Sequence, residues 1–407
     1  MTPKETFLSP TIDIEDLGLD AGAHLLIKHG LLAVAPGESI TVVGRSPDLD
    51  GQLSAWCRSQ GHPIALSEAN GRLQAQVTRG GYDAGRWRGA LHTGHADAAQ
   101  TSAVADKALP AWGLAARGAT VEAGSPPMHF RLDQKSEVWS ESAADLYAQA
   151  VAAQWNPDAV IDWKAEFDLP EVVENAVVQV LTYMIENEVA ALVVPARFLG
   201  QLHPHFREVQ ALLAIQVADE ARHIDVFTRR LRLKGREPAL STAGGQASLK
   251  SLLDEPDFSV AEFLLSVLGE GTFVSLLLFL HAHAPDPVTR QIAMLAARDE
   301  ARHVAFGMTH LMARLELEPE FRTRLALAVQ ARNDALAGTS GLNEEVFDAL
   351  ILLAAGEFTA TAIAQGYLRV QQLMRDMAEG RQARLEKLGF GEAEAQQLSS
   401  LHTRNFM

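Results

Sequence analysis

The chain has 407 residues, 47% of them hydrophobic and 21% charged, enough for a large core and for two domains. A formal net charge of −16 disfavours nucleic acid or an anionic membrane surface as a partner. The single cysteine, Cys57, excludes an intrachain disulfide and a cysteine-ligated iron–sulfur cluster; with an opening Met-Thr-Pro-Lys-Glu-Thr that lacks a signal-peptide pattern, it makes a reducing cytoplasm the expected location.

In chain order, residues 1–80 read as a small α/β unit. Residues 11–17 alternate like an opening strand, 21–35 form a helix closed by Pro36-Gly37, and 39–43 are a β-branched strand. Residues 48–60 are helical with Gly61 after their end, and 63–66 and 72–78 are short strands joined by an Asn70-Gly71 turn. Residues 81–133, rich in Gly, Ala, Pro and Thr and without a sustained period, are a linker or an irregular wrap. Residues 134–407 are helical in pattern, with helices expected at 143–154, 171–199, 204–233, 260–283, 287–315, 319–337, 344–377 and 392–401. The fold class is therefore α+β in two domains, a small α/β sandwich followed by an all-α bundle.

The bundle carries one pentapeptide twice, as Asp219-Glu220-Ala221-Arg222-His223 and Asp299-Glu300-Ala301-Arg302-His303. Glu and His three residues apart share a helix face, so each motif offers a carboxylate and an imidazole to one point. Each Asp stands four residues before its His, a spacing that lets Asp219 or Asp299 accept a hydrogen bond from the non-ligating ring nitrogen and fix the tautomer. Arg222 and Arg302 complete this second ring of groups. A solvated charged face would have unrelated flanks. Here each motif follows a helix with one carboxylate on an apolar stripe: Glu188 among Val177, Leu181, Met184 and Leu192, and Glu270 among Phe263, Val267, Val274 and Leu277.

Glu188 stands 32 residues before Glu220, and Glu270 stands 30 before Glu300, each room for two helical passes. Burying a lone carboxylate is costly without a partner or a metal. Glu188, Glu220, His223, Glu270, Glu300 and His303 together make a dinuclear iron or manganese site in a bundle core. Glu186 is the alternative to Glu188, on a less apolar face. Gly269 and Gly271 flank Glu270, each costing about 1 kcal/mol in a helix relative to alanine; they point either to a π-type distortion or to close helix packing. Residues 263–284 hold one charged residue, Glu270, and could span a bilayer. They lack a basic flank and sit among other helices, so a buried central helix is expected and no membrane. His203 and His205, and His281 and His283, fall at turns and receive no role.

The paired helices with two Glu-x-x-His motifs resemble the ferritin-like di-iron carboxylate proteins. That class includes bacterial multicomponent monooxygenase hydroxylases, acyl-carrier-protein desaturases, the small subunit of class I ribonucleotide reductase and arylamine N-oxygenases. The Asp-Glu-x-Arg-His form looks most like the oxygenase branch. The resemblance implies two iron ions, with manganese or a mixed Mn/Fe pair as variants, bridged by Glu220 and Glu300 and capped by the other four ligands. Where the reductase subunits carry a radical tyrosine this chain has Phe227, and where hydroxylases carry a threonine it has Phe273 and Val274, with Thr272 nearer. Both features argue against those particular chemistries.

The N-terminal unit resembles the TusA/SirA-type sulfur-carrier fold through Leu17-Gly18-Leu19, Ala35-Pro36-Gly37-Glu38 and Ala55-Trp56-Cys57-Arg58. The family's Cys-Pro nucleophile is replaced by Ala21-Gly22, which implies a docking or scaffolding role.

The function implied by these residues is that of an oxidase or oxygenase acting with dioxygen on a small organic substrate, with Leu192, Phe227, Phe273 and Leu277 as candidate pocket walls. No nucleotide fingerprint or cysteine cluster is visible, so electrons must come from an external reductase or reduced carrier. A second copy of the chain, as a homodimer, is a further candidate partner. The alternatives are iron handling, as a ferroxidase or peroxide scavenger, and a non-enzymatic docking or sulfur-relay module built on the N-terminal unit.

Overall fold

The computed structural model describes residues 9–69, 71–81, 87–337 and 344–401. Asn70, half of the expected turn, and the opening six residues lie outside them. The chain divides into two compact units, residues 1–105 with 109–129, and residues 106–108 with 130–407.

The first unit is built on a four-stranded sheet. Strands β1 (Thr11–Glu15), β2 (Ser39–Gly44), β3 (Ile64–Ala69) and β4 (Arg72–Thr78) lie in the order β1-β2-β4-β3. β1 and β2 are parallel and the remaining pairs antiparallel. A parallel pair needs a crossover, and α1 (Ala23–Leu32) supplies it. Ile40, Val42 and Gly44 alternate inward along β2 and meet Ile27 and Leu31 of α1 and Leu53 and Cys57 of α2 (Leu49–Gln60). Gly30 allows the close approach of α1 to the sheet, since a Cβ there would come within 2.7 Å of Ile12. Cys57 is 0% exposed, and burial pushes its thiol up to about 12. The later part of this unit is mostly irregular and contains a two-stranded ribbon, β5 (Leu91–His92) with β6 (Thr120–Val121).

The second unit is a helical bundle. Short helices α3 (Lys135–Val138), α4 (Ala143–Ala152) and α5 (Pro157–Val160) lead into α6 (Glu171–Leu199) and α7 (Arg207–Leu233). α8 (Ala243–Leu253) has no counterpart in the sequence expectation; Gly244 and Gly245 in its first turn hide it, and Thr242 caps it by accepting from Gly245 N. Next come α9 (Phe258–Glu262), a π-helical segment (Phe263–Glu270) and α10 (Gly271–His283), continuous along one rod, and then α11 (Pro287–Leu317). α12 (Phe321–Ala337), α13 (Glu344–Ala355), α14 (Ala360–Lys387) and α15 (Glu392–Ser400) complete the unit.

The single helix expected over 344–377 is in fact two, bent by 117°. Gly356 takes φ +70 and Thr359 starts α14 by accepting from Ala362 N, so the chain stops and restarts although the apolar period runs on. Glu171–Leu199 and Phe258–His283 are both long and apolar enough to cross a membrane. In this structure 67% and 83% of their most apolar windows are buried inside the protein.

The bundle is pinned at one end by a buried ion cluster. Arg230 of α7, 0% exposed, holds Glu174 of α6 at 2.8 and 3.0 Å and Asp286, the N-cap of α11, at 3.0 Å. Breaking such a pair leaves an unpaired charge in the core, so Arg230→Ala is expected to cost about 3–5 kcal/mol in urea unfolding. A loss below about 1 kcal/mol would show that solvent reaches the cluster. In the first unit, Cys57 is expected to resist a disulfide-exchange reagent in native buffer and to react fully in denaturant; rapid native labelling would contradict its burial.

Candidate metal centre

Four rods meet at the centre of the bundle and each brings a carboxylate. Glu188 comes from the middle of α6, Glu220 and His223 from α7, Glu270 from the last position of the π-helical segment, and Glu300 and His303 from α11. All six are at most 3% exposed. They form two overlapping sets, Glu188 with Glu220, His223 and Glu300, and Glu270 with Glu220, Glu300 and His303. In each set one oxygen or nitrogen per residue lies within 4.8 Å of the others. Glu220 and Glu300 belong to both sets, the arrangement needed for carboxylates that bridge two cations. Glu186, the alternative to Glu188, is only half-buried and lines a groove beside Gln246 and Leu249.

The imidazoles present Nδ1 to this cluster. His223 Nδ1 lies 3.2 Å from Glu220 Oε2, 3.4 Å from Glu188 Oε2 and 3.4 Å from Glu300 Oε1. His303 Nδ1 lies 2.9 Å from Glu220 Oε1 and 3.2 Å from Glu300 Oε2. The outward Nε2 atoms reach aspartates, but crosswise: His223 faces Asp299 at 3.2 Å, and His303 faces Asp219 at 3.4 Å. The four-residue spacing suggested pairing within each motif. The structure instead swaps the partners between α7 and α11, because the two motifs lie side by side and each Asp points across to the neighbouring helix.

Arg222 and Arg302 tie the exchange together. Arg222 bonds Asp219 at 2.5 Å and Asp299 at 2.8 Å, and Arg302 bonds Asp299 and approaches Asp219 at 3.5 Å. Gln154 donates to Asp219 at 2.7 Å, and Trp155 Nε1 donates to Asp299 at 2.8 Å with Arg222 stacked 4.6 Å over its ring. Gln154 and Trp155 were not anticipated, since nothing in their own segment marks them as partners of the motifs.

Charge decides what the centre can hold. Asp219 and Asp299 are balanced by Arg222 and Arg302, two against two. The four inner glutamates have only the two imidazoles. Burial pushes Glu188 and Glu270 well above the usual carboxylate range. Glu220 is held below it, because His303 and His223 outweigh the same burial. Burial favours neutral imidazoles, yet Glu188 beside His223 and Glu220 beside His303 raise both well above their ordinary values.

Even so, one oxygen of each inner carboxylate is buried without a well-formed hydrogen bond: Glu188 Oε1, Glu220 Oε1, Glu270 Oε2 and Glu300 Oε1; Glu220 Oε1 and Glu300 Oε1 have an imidazole Nδ1 nearby, at 2.9 and 3.4 Å. Four buried carboxylates facing one another with two imidazoles between them are costly unless cations occupy the space. With neutral imidazoles, two divalent ions would cancel the charge of four carboxylates. The donor set of carboxylate oxygens and imidazole nitrogens suits iron or manganese, so the residues fit the implied pair of ions.

The helix that carries Glu270 is distorted where it matters. All eight residues of the π-helical segment are buried, and Glu270 is its last. Gly307, one turn past His303 on α11, makes room for it: a Cβ there would stand 2.8 Å from Ser266 Cβ. Of the glycines beside Glu270, Gly269 lies inside the π-helical segment, and Gly271 is closely packed, since a Cβ there would stand 2.5 Å from the Arg384 guanidinium. Gln216, four residues before Glu220, donates to Glu270 Oε1 at 3.2 Å. Its equivalent in the second motif is Ala296, so no spacing rule marked it. Glu262 is also buried near the centre; burial raises it to about 7, and Ser266 donates to it at 3.2 Å. Of the expected pocket walls, Phe227, Phe273 and Leu277 are buried and Leu192 is half-buried. The Phe273 ring packs 6.4 Å from that of Tyr183.

The crosswise pairing has a direct test. Asp299→Asn is expected to weaken metal binding by about 10–100-fold, as loss of such a hydrogen-bond partner typically does. It should shift the ring NMR signals of His223 and leave those of His303 nearly in place; the reverse pattern would mean that each Asp serves its own motif.

No family model and no curated protein matches the sequence. Among solved structures the chain is similar to a Synechococcus protein with aldehyde deformylating oxidase activity, at 19% identity and a TM-score of 0.42, over 56% of this chain and 96% of that one. It is also similar to a variant R2-like ligand-binding oxidase with a reconstituted Mn/Fe cofactor, at 16% identity and a TM-score of 0.47, over 61% and 94% of the two chains. Identities and scores at this level assign the chain to no family.

Proposed function

We propose that the chain is a dinuclear-metal oxidoreductase of the ferritin-like kind, which uses dioxygen to oxidise or oxygenate a small organic substrate. The observation that carries this reading is the pair of overlapping, fully buried ligand sets, Glu188 with Glu220, His223 and Glu300, and Glu270 with Glu220, Glu300 and His303. Glu188, Glu220, His223 and Glu300 would hold one iron or manganese ion, and Glu220, Glu270, Glu300 and His303 would hold the other. Such a pair, once bound and reduced, supplies the electrons that dioxygen accepts.

The protein's own part is to position and to insulate. Asp299 and Asp219 fix the orientation of His223 and His303, and Arg222 and Arg302 neutralise those aspartates, so the rings cannot turn without breaking ion pairs. Glu270, at the end of a π-helical turn, can change its binding mode with less disturbance than a carboxylate in a regular helix. Phe227, Phe273 and Leu277 keep bulk water from the centre. Cys57, buried and with its thiol pushed up to about 12, is not disposed to carry electrons or sulfur, so an external reductase or reduced carrier supplies the electrons. The first unit, with Ala21 in the place of a sulfur-carrier's nucleophile, serves as a docking module.

The purified protein is expected to hold about two iron or manganese ions per chain, and Glu220→Ala or Glu300→Ala to lose most of both, because each residue belongs to both ligand sets. Metal-free wild-type protein after expression in iron- and manganese-replete medium would sink the proposal. With metal present, oxygen uptake by the reduced protein should depend on an organic substrate, with oxidised product seen by mass spectrometry. Uptake that consumes only added ferrous ion would move the assignment to a ferroxidase.

A further inference from the structure

α11 turns its metal ligands inward and a row of cations outward. Glu300 and His303 are 1% and 3% exposed, whereas Arg290 and Arg298 lie at the surface. Arg290, Met294, Arg298 and Arg302 follow one another at four-residue spacing, which keeps neighbours in the row on one side of the helix. The acids of the same stretch, Asp299 and Glu300, are buried, so they do not offset the row at the surface. Arg302 is committed to Asp299 and Asp219. Arg290 and Arg298 are paired with no acidic side chain among the described residues.

The two free arginines line an open groove of about 420 Å³, with His281 from the last turn of α10 and with Pro287, Met294 and Leu295. No acidic side chain lines it. His281 Nδ1 donates to Arg290 O at 3.0 Å, and Arg290 Nε donates to Ala284 O at 2.5 Å, so both basic groups are held at the end of α10. The same charge is felt next door. Burial, then Arg369 of α14 and Arg290, hold the imidazole of His283 below its ordinary value. In a chain of net charge −16, a groove that is cationic and partly apolar is a local reversal of sign.

We propose that this face of α11 docks an acidic electron-carrier protein, an inference that rests on reading the glutamate centre as an oxidoreductase fed from outside. Carboxylates of the carrier pair with Arg290 and Arg298, where guanidinium forks suit them, and its apolar rim meets Pro287, Met294 and Leu295. Arg298 and Glu300 are two residues apart and face opposite ways, so the width of one helix, about 10 Å, separates groove from centre. At each encounter the carrier is oxidised by one electron and the centre is reduced by one; no bond is made or broken. The acidic excess over the rest of the chain repels such a carrier, so attraction here and repulsion elsewhere orient it.

The test uses the full-length protein, an acidic plant-type [2Fe–2S] ferredoxin as probe and a basic c-type cytochrome as control, with binding read by isothermal titration. The ferredoxin is expected to bind at low salt and to weaken steeply as salt rises. Arg298→Glu together with Arg290→Glu should weaken it by about 10-fold or more and leave any binding of the cytochrome no weaker. Arg298→Glu alone, whose side chain makes no bond that α11 needs, keeps the test decisive should the double variant not fold. On mixing with metal-loaded protein, reduced ferredoxin should be reoxidised under anaerobic conditions, and more slowly in the same variants. No binding at low salt, binding that survives both charge reversals, or binding without reoxidation would overturn the docking site. Metal analysis separates the two levels: a metal-free wild-type protein sinks the oxidoreductase reading before any carrier is added.

Discussion

The structure of the bundle depends on how it tolerates charge in its interior. Three buried clusters answer that problem in three ways. At one end Arg230 sits between Glu174 and Asp286 and the protein compensates itself, so the cluster acts as a clamp across α6, α7 and the start of α11. At the centre, Glu188, Glu220, Glu270 and Glu300 exceed what His223 and His303 can neutralise, and the excess is negative. Behind the π-helical segment, Arg381 and Arg384 meet no carboxylate among the described residues, and the excess is positive. A balanced cluster needs nothing from outside; an unbalanced one carries a burial cost that a shift in protonation or a ligand of opposite sign relieves. By this measure the clamp is architecture, and the glutamate centre has the imbalance that a cation site requires.

The same contrast explains the ring of groups around the glutamates. Asp219, Asp299, Arg222 and Arg302 are balanced and interlocked across α7 and α11, so they form a rigid frame. A frame of this kind suits a centre whose inner ligands must keep their positions with and without ions. It also ties the two repeated motifs into one object: each histidine is oriented by the aspartate of the other motif, and neither helix can slide without disturbing both rings.

What was legible in the sequence is what lies along one helix. Glu220 with His223, and Glu300 with His303, could be read because a helix of 3.6 residues per turn brings them to one face. Glu188 and Glu270 could be read because a carboxylate on an apolar stripe stands out. The crosswise aspartates could not, since their pairing depends on how α7 and α11 lie beside each other. Gln154, Trp155 and Gln216 stayed hidden for the same reason. Arg230 follows Arg229 near a helix end, where basic residues are ordinary, and only its 0% exposure separates it from its neighbour. The break at Gly356 was missed because the apolar period continues across it, and α8 because two glycines begin it. In the first unit the strands and helices were legible within a few residues, from alternation and from Gly and Pro at their ends.

The repeat of the pentapeptide suggests two equivalent halves, yet the residues around it make the halves unlike. Glu188 stands in a regular helix, with Asn187 beside it bonded to its own backbone at Tyr183 O. Glu270 ends a π-helical turn and accepts from Gln216, and that segment packs Ser266 on Gly307 and offers Val267 O to Arg384. Ala296, where the second motif would place the counterpart of Gln216, cannot donate a hydrogen bond to Glu188. One set of ligands is therefore held by a continuous helix and the other by a widened turn with its own supports. The asymmetry is set by helix geometry rather than by the ligands, which are the same on both sides.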